Sequence, residues 1–93
     1  MSRNMTLSFP NLSRSYDETR NRVRFWGYDT AIEISFFVEA AALRTLVPDL
    51  IDGEAELLKA FDDTRERIHE VADAVYARSR KDSYVYILAP EDF

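Results

Sequence analysis

The sequence predicts an α+β fold: an antiparallel or mixed sheet of three to four strands with one short and one long helix packed on one face, in the order β-β-β-α-α-β. Three observations predict it. Between residues 52 and 81, Leu57, Phe61, Thr64, Ile68, Val71 and Val75 recur at spacings of four and three, the period of a helix with one buried face. Between residues 31 and 38, Ile32, Ile34, Phe36 and Val38 alternate strictly with Glu33, Ser35 and Phe37, the period of a half-buried strand. Just before it, Val23 and Phe25 alternate with Arg22, Arg24, Trp26 and Tyr28, which makes a second strand and a hairpin.

Taken in order, residues 1–5 are expected to be disordered, as free termini commonly are. Leu7 and Phe9 can dock as a short edge strand that Pro10 ends. Tyr16 and Asp17 start a hairpin arm, with residues 18–21 as its turn and Asn21 able to adopt a left-handed conformation. Residues 23–28 return; Gly27 beside Trp26 suggests a bulge. Residues 39–47, rich in alanine and leucine, form the short helix, which Pro48 stops; Leu43, Leu46 and Val47 are its core contacts.

The long helix takes residues 52–81, with Leu58, Ala72 and Tyr76 widening its stripe. Asp52 is its expected N-cap, Glu54 and Glu56 suit the positive end of its dipole, and Arg78, Arg80 and Lys81 suit the other end. Residues 83–88 form the last strand. Tyr84, Tyr86 and Leu88 share one face and Val85 and Ile87 the other, and both faces are apolar enough to be buried. The expected core is Val23, Phe25, Ile32, Ile34, Phe36, Val38, Leu43, Leu46, Leu57, Phe61, Ile68, Val71 and Val75.

Ninety-three residues make one expected domain, residues 1–93. There is no cysteine, which excludes disulfides and thiolate metal sites. No apolar run approaches a membrane span or an export signal, so no membrane association and a cytoplasmic location are expected. The net charge of −5 is uneven: residues 1–44 carry six Arg against five acids, residues 45–93 six Lys and Arg against twelve acids. That balance argues against bulk nucleic-acid binding.

No catalytic constellation is visible, so no enzyme and no cofactor are expected. With only Gly27 and Gly53 there is no phosphate-binding loop, and no serine pairs with the single histidine, His69. A boundary position beside Ile68 explains His69, and Asp73, four residues on, suits a hydrogen-bonded imidazole as well as a metal. No metal site is expected.

The residues that stand out are those on the sheet face turned away from the helices. If Ile32, Ile34, Phe36 and Val38 face the helices, then Trp26, Tyr28 and Phe37 face away, flanked by Arg22 and Arg24, with Tyr84 and Tyr86 as further candidates. Trp, Tyr and Arg are enriched in binding hot spots. The expected role is a protein-interaction module that self-associates as a homodimer through this face or takes a protein partner. Alternatively the short helix or residues 7–9 fold over the face. A second functional reading is single-stranded nucleic-acid binding, with Arg20, Arg22 and Arg24 tracking phosphates and Phe25, Trp26 and Tyr28 near bases. The overall acidity makes nucleic acid the lesser expectation.

Several stretches also carry a resemblance. Leu7-Ser8-Phe9-Pro10-Asn11, Ser13-Arg14-Ser15-Tyr16-Asp17, Val23-Arg24-Phe25-Trp26-Gly27-Tyr28-Asp29 and Ser35-Phe36-Phe37-Val38 occur in this order. Leu58-Lys59-Ala60-Phe61-Asp62, Val75-Tyr76-Ala77-Arg78, Ser83-Tyr84 and Asp92-Phe93 follow. The chain thereby resembles, from about Thr6 to Phe93, the bacterial family known as domain of unknown function 1488. Members tend to have a glycine before the Ser-Tyr pair, where this chain has Asp82, and the tail after it is a little longer here. The resemblance implies a small bacterial α+β protein and no activity, cofactor or functional residue.

Overall fold

The computed structural model describes residues 5–93; of the segment expected to be disordered, residues 1–4 lie outside the described residues. The elements are β1 (Ser15–Asp17), β2 (Arg22–Asp29), β3 (Ile32–Glu39), α1 (Ala40–Leu46), α2 (Glu54–Asp63), α3 (Arg65–Arg78) and β4 (Val85–Leu88), followed by a 3₁₀ turn (Pro90–Asp92). The sheet is mixed, in the order β1-β2-β3-β4. β1, β2 and β3 form an antiparallel meander, and β4 returns parallel to β3 after the helical excursion. Asn21 takes the left-handed conformation its turn needs, at φ 50°.

One face of the sheet builds the core. Val23 and Phe25 of β2, Ile34, Phe36 and Val38 of β3, and Leu88 of β4 are buried together with Leu43 of α1, Leu57 and Phe61 of α2, and Ile68, Val71, Ala72, Val75 and Tyr76 of α3. Four aromatic rings lock its centre: Phe25 lies 5.3 Å from Phe36 and 5.1 Å from Phe61, and Phe36 lies 5.8 Å from Tyr86. Tyr76, buried on α3, donates its hydroxyl hydrogen to Asp29 Oδ2 at 2.7 Å, tying the helix layer to the far end of β2. Burial, with Asp29 beside it, pushes that phenol up to about 12. Ile32 departs from the expected core. It has the right phase but sits in the first rung of β3, opposite Asp29, and remains 47% exposed.

The stretch 52–81 is two helices rather than one. Thr64, at φ −118° and ψ 18°, separates them. Its hydroxyl donates to the Ala60 carbonyl at 2.7 Å, and its N–H reaches both Ala60 and Phe61 carbonyls, closing a tight last turn on α2. A β-branched residue that bonds back four positions bends a helix. The apolar stripe runs on through the break, because α3 restarts on the Thr64 carbonyl, which accepts from Ile68 N–H at 3.0 Å. The bend lets α2 lie on β1 and β2 while α3 lies on β4.

The N-cap of α2 is Gly53, not Asp52. Asp52 instead pairs with Arg44 of α1. Gly53 has φ 146°, a conformation open to glycine, and the Glu56 carboxylate folds back over its Cα. At the other end α3 stops at Arg78, and Arg80 and Lys81 turn left-handed at φ 60° and 57°. Lys81 N–H closes that turn on the Tyr76 carbonyl at 3.1 Å.

The N-terminal segment docks as expected, through a single antiparallel bridge in which Ser8 and Tyr28 exchange N–H···O bonds of 2.9 and 2.8 Å. Its side chains, however, point into the core. Leu7 is buried, its N–H donates to Asp73 Oδ1 at 2.9 Å, and Phe9 packs on Phe25 and Phe36. Gly27 is not a bulge: the β2–β3 register runs through it unbroken, opposite Ile34. Gly27 is instead where Phe9 crosses the strand.

Candidate functional site

The candidate site is the second face of the sheet. Side chains alternate along a strand, so the residues between the core positions all emerge there. The register sets them in rows: Arg22 beside Glu39, Arg24 beside Phe37, Trp26 beside Ser35, and Tyr28 beside Glu33. On the flanks, Ser15 and Asp17 of β1 stand beside Arg24 and Arg22, while Val85 and Ile87 of β4 stand beside Ser35 and Phe37.

The two arginines each sit over a ring. Arg22 Cζ is 3.9 Å from the centroid of Phe37, and Arg24 Cζ is 5.1 Å from that of Trp26. Such stacking holds a guanidinium and a ring together as one amphipathic block. Arg22 is further fixed by Asp17, at 3.0 Å, and Arg24 donates to Ser35 Oγ at 3.3 Å. Trp26, Tyr28 and Phe37 are half-buried, whereas Val85 and Ile87 are about half exposed, at 53% and 50%.

The cover expected from residues 7–9 or from the short helix lies elsewhere. Leu7 and Phe9 enter the core from the helix side, and Ala40, Ala42 and Leu43 of α1 join the same cluster. Among the described residues, therefore, nothing is layered on the outer face.

Five of the seven candidate residues, Arg22, Arg24, Trp26, Tyr28 and Phe37, come together there. Tyr86 does not. It belongs to the core side, stacked on Phe36 and edge-on to Tyr76 at 5.8 Å, with its hydroxyl accepting Ser83 N–H at 3.0 Å. Tyr84 precedes β4 and is 67% exposed, outside the rows. Val85 and Ile87 take their place. Alternation had assigned these two to one face, but the strand's two faces are equally apolar, and only its pairing with β3 decides between them.

His69 lies on the other side of the molecule's chemistry. Its ring stacks on Phe9, with centroids 3.9 Å apart and planes 6° from parallel, and a tilted contact to Phe25 at 5.8 Å. Burial, helped by the charge of Arg65, lowers its pKa to about 4. The imidazole is thus a packed, neutral ring. The Asp73 carboxyl, four residues on, accepts from Leu7 N–H at 2.9 Å. Among the described residues no group of three His, Asp or Glu side chains is placed to hold a metal ion.

A pH dependence follows. The folded state keeps His69 neutral well below the usual 6.5, so it binds fewer protons than the unfolded chain in that window. The stabilisation is fully present above about pH 6.5 and is lost as pH falls through about 4. Because the ring is partly solvated, the expected loss is about 1–2 kcal/mol. Urea unfolding at pH 7 and pH 4.5, compared with His69→Gln, measures it; equal slopes for the two proteins would remove it.

A separate shallow groove of about 230 Å³ lies between the α1–α2 link and α2, floored by Val47, Leu50, Ile51 and Ala60.

Against this geometry, comparison with known proteins is informative about family. A family model described as "Protein of unknown function (DUF1488)" matches residues 7–88. The chain belongs to the DUF1488 family. A solved structure agrees with it in fold: the crystal structure, at 1.60 Å resolution, of a protein of unknown function from the DUF1488 family of Shewanella loihica PV-4. It superposes with a TM-score of 0.77 over 94% of this chain and 96% of its own, at 17% identity. That likeness speaks to the DUF1488 fold alone. No curated protein matches the chain. Among the described residues, no helix is long and apolar enough to cross a membrane.

Proposed function

We propose that this DUF1488 chain is a non-catalytic interaction module that self-associates through the open sheet face. The observation that carries the reading is the self-complementary order of the rows across β2 and β3. A twofold axis running along the strands between β2 and β3 sets β2 of one copy over β3 of the other. Arg22 then meets the partner's Glu39, Arg24 the partner's Phe37, Trp26 the partner's Ser35, and Tyr28 the partner's Glu33. Each meeting joins opposite charges, a cation and a ring, or an aromatic and a hydroxyl or carboxylate, and the symmetry makes every one of them twice. Sheets packed face to face at a small angle are a standard solution for such surfaces.

Two eight-residue strands flanked by short ones measure roughly 27 Å by 15–19 Å. That is at the small end of specific interfaces, so the association is a concentration-dependent equilibrium rather than an obligate dimer. The aromatic anchor is Trp26, whose removal is expected to weaken the dimer by tenfold or more. Absolute mass by light scattering across a wide dilution range reads this directly. Trp26→Ala should stay monomeric at concentrations where the parent dimerises, with its unfolding midpoint shifted only slightly. A variant that dimerises as tightly as the parent removes the reading.

A further inference from the structure

The last strand is an edge strand carrying exposed Val85 and Ile87, the kind of element that pairs with a second chain unless something prevents it. The phase of its hydrogen bonds can be read from the structure. Ser35 N–H donates to the Tyr84 carbonyl at 2.8 Å, and Ser35 is paired with Val85. In a parallel ladder this commits the backbone groups of Tyr86 and Leu88 to β3. Those of Val85 and Ile87 therefore point to the open edge.

The positions on both sides of Ile87 are already occupied from within the chain. Ser83 Oγ accepts Val85 N–H at 3.1 Å and donates to the Val85 carbonyl at 3.0 Å, so one hydroxyl closes both groups of that rung. Beyond Ile87, Asp92 Oδ2 accepts Ala89 N–H at 2.9 Å, and the Ala89 carbonyl accepts Asp92 N–H at 3.0 Å. The Asp92 carboxylate is itself held by Arg78 at 3.0 Å. Among the described residues, of three consecutive outward rungs only Ile87 is left open, and a single rung is too little to nucleate a strand pair.

We infer that Ser83 and Asp92 guard the β4 edge against pairing with the β4 edge of a second copy, so that copies meet through the sheet face alone. This rests on the self-association proposed above and fixes its geometry. It assigns to Ser83, Asp92 and Arg78 a role in choosing between two ways for identical chains to associate. An unguarded edge would pair antiparallel about a twofold axis at Ile87, joining two sheets of four strands into one.

The test is made in a Trp26→Ala background, where the face contact is disabled. Adding Ser83→Ala and Asp92→Ala should produce a dimer by light scattering that associates about tenfold more tightly than Trp26→Ala alone. Further adding Ile87→Pro should return it to monomer. Proline removes the N–H at the centre of the edge pair, and the β3 ladder does not use that group, so the fold is kept. A Ser83→Ala, Asp92→Ala protein as monomeric as its background overturns the inference. So does loss of the sheet on Ile87→Pro, since it would mean that Ile87 bonds β3. Should the double replacement fail to fold, Ser83→Ala alone keeps the Arg78–Asp92–Ala89 contacts intact and opens two adjacent rungs, with a smaller gain expected. The two readings fail separately: a face contact insensitive to Trp26→Ala sinks the proposed function, whereas the guard is judged only by the change that Ser83 and Asp92 make to a common background.

Discussion

Phe25→Ala is expected to destabilise the fold by about 3–5 kcal/mol. Phe25 is 1% exposed and meets four rings at once: Phe61 at 5.1 Å, Phe36 at 5.3 Å, His69 at 5.8 Å and Phe9 at 6.2 Å. These come from β3, α2, α3 and the N-terminal segment, so no single neighbour can collapse into the space. The residual cavity is what lifts the cost above simple transfer of a ring. Against a stability of roughly 5–15 kcal/mol for a domain of this class, the variant is at or near the unfolding threshold. Urea unfolding measures it, and a loss below about 1 kcal/mol would show that the rings do not form the centre of the core. The contrast with Trp26→Ala is the informative part. The two residues are adjacent on β2, yet one change should be read almost wholly in stability and the other almost wholly in association.

That contrast was legible in the sequence because alternation on β2 and β3 is strict. Where a strand has one polar face, as Arg22, Arg24 and Ser35 provide, one residue of register decides which side chains are buried. On β4 the reading stopped. Tyr84, Val85, Tyr86, Ile87 and Leu88 offer no polar face, so the assignment of Tyr86 to the core and Ile87 to the surface needed the pairing with β3. Ile32 was misplaced for a different reason: periodicity gives the face but not where the covering layer ends. Thr64 sat in phase with the helical stripe, and only its backbone, at φ −118°, with its hydroxyl bonded back to Ala60, shows the break. The packing of His69 was out of reach as well, because its partner Phe9 is 60 residues away along the chain and Pro10 had suggested nothing beyond a strand end. The shared side of Arg22, Arg24, Trp26, Tyr28 and Phe37, by contrast, follows from alternation on β2 and β3, whereas the places of Glu39 at the end of β3, of Ser15 and Asp17 on β1, and of Val85 and Ile87 on β4 needed the register.

Gly27→Ala is expected to destabilise by about 1–3 kcal/mol, against the ordinary preference of a strand for a side chain over glycine. A Cβ at this position would meet Phe9 Cε1 at 2.6 Å, Phe9 Cδ1 at 2.8 Å and the Ser8 carbonyl oxygen at 3.0 Å. The ring could swing away, but it is wedged between Phe25, Phe36 and His69. The Ser8 carbonyl cannot move without loosening its bond from Tyr28 N–H. The added methyl must therefore lift the N-terminal segment from the sheet, and the effect should show in two places at once. The urea midpoint should fall, and His69, freed of part of its aromatic cover, should titrate above about 4, closer to the usual 6.5. Proton NMR of the imidazole across pH 3 to 8 reports the second effect independently of global stability. If the midpoint falls while His69 still titrates near 4, the methyl is accommodated by strain elsewhere in β2, and Phe9 is not the reason for glycine at this position. If neither changes, the close crossing of Phe9 over the strand is relieved by a shift too small to matter.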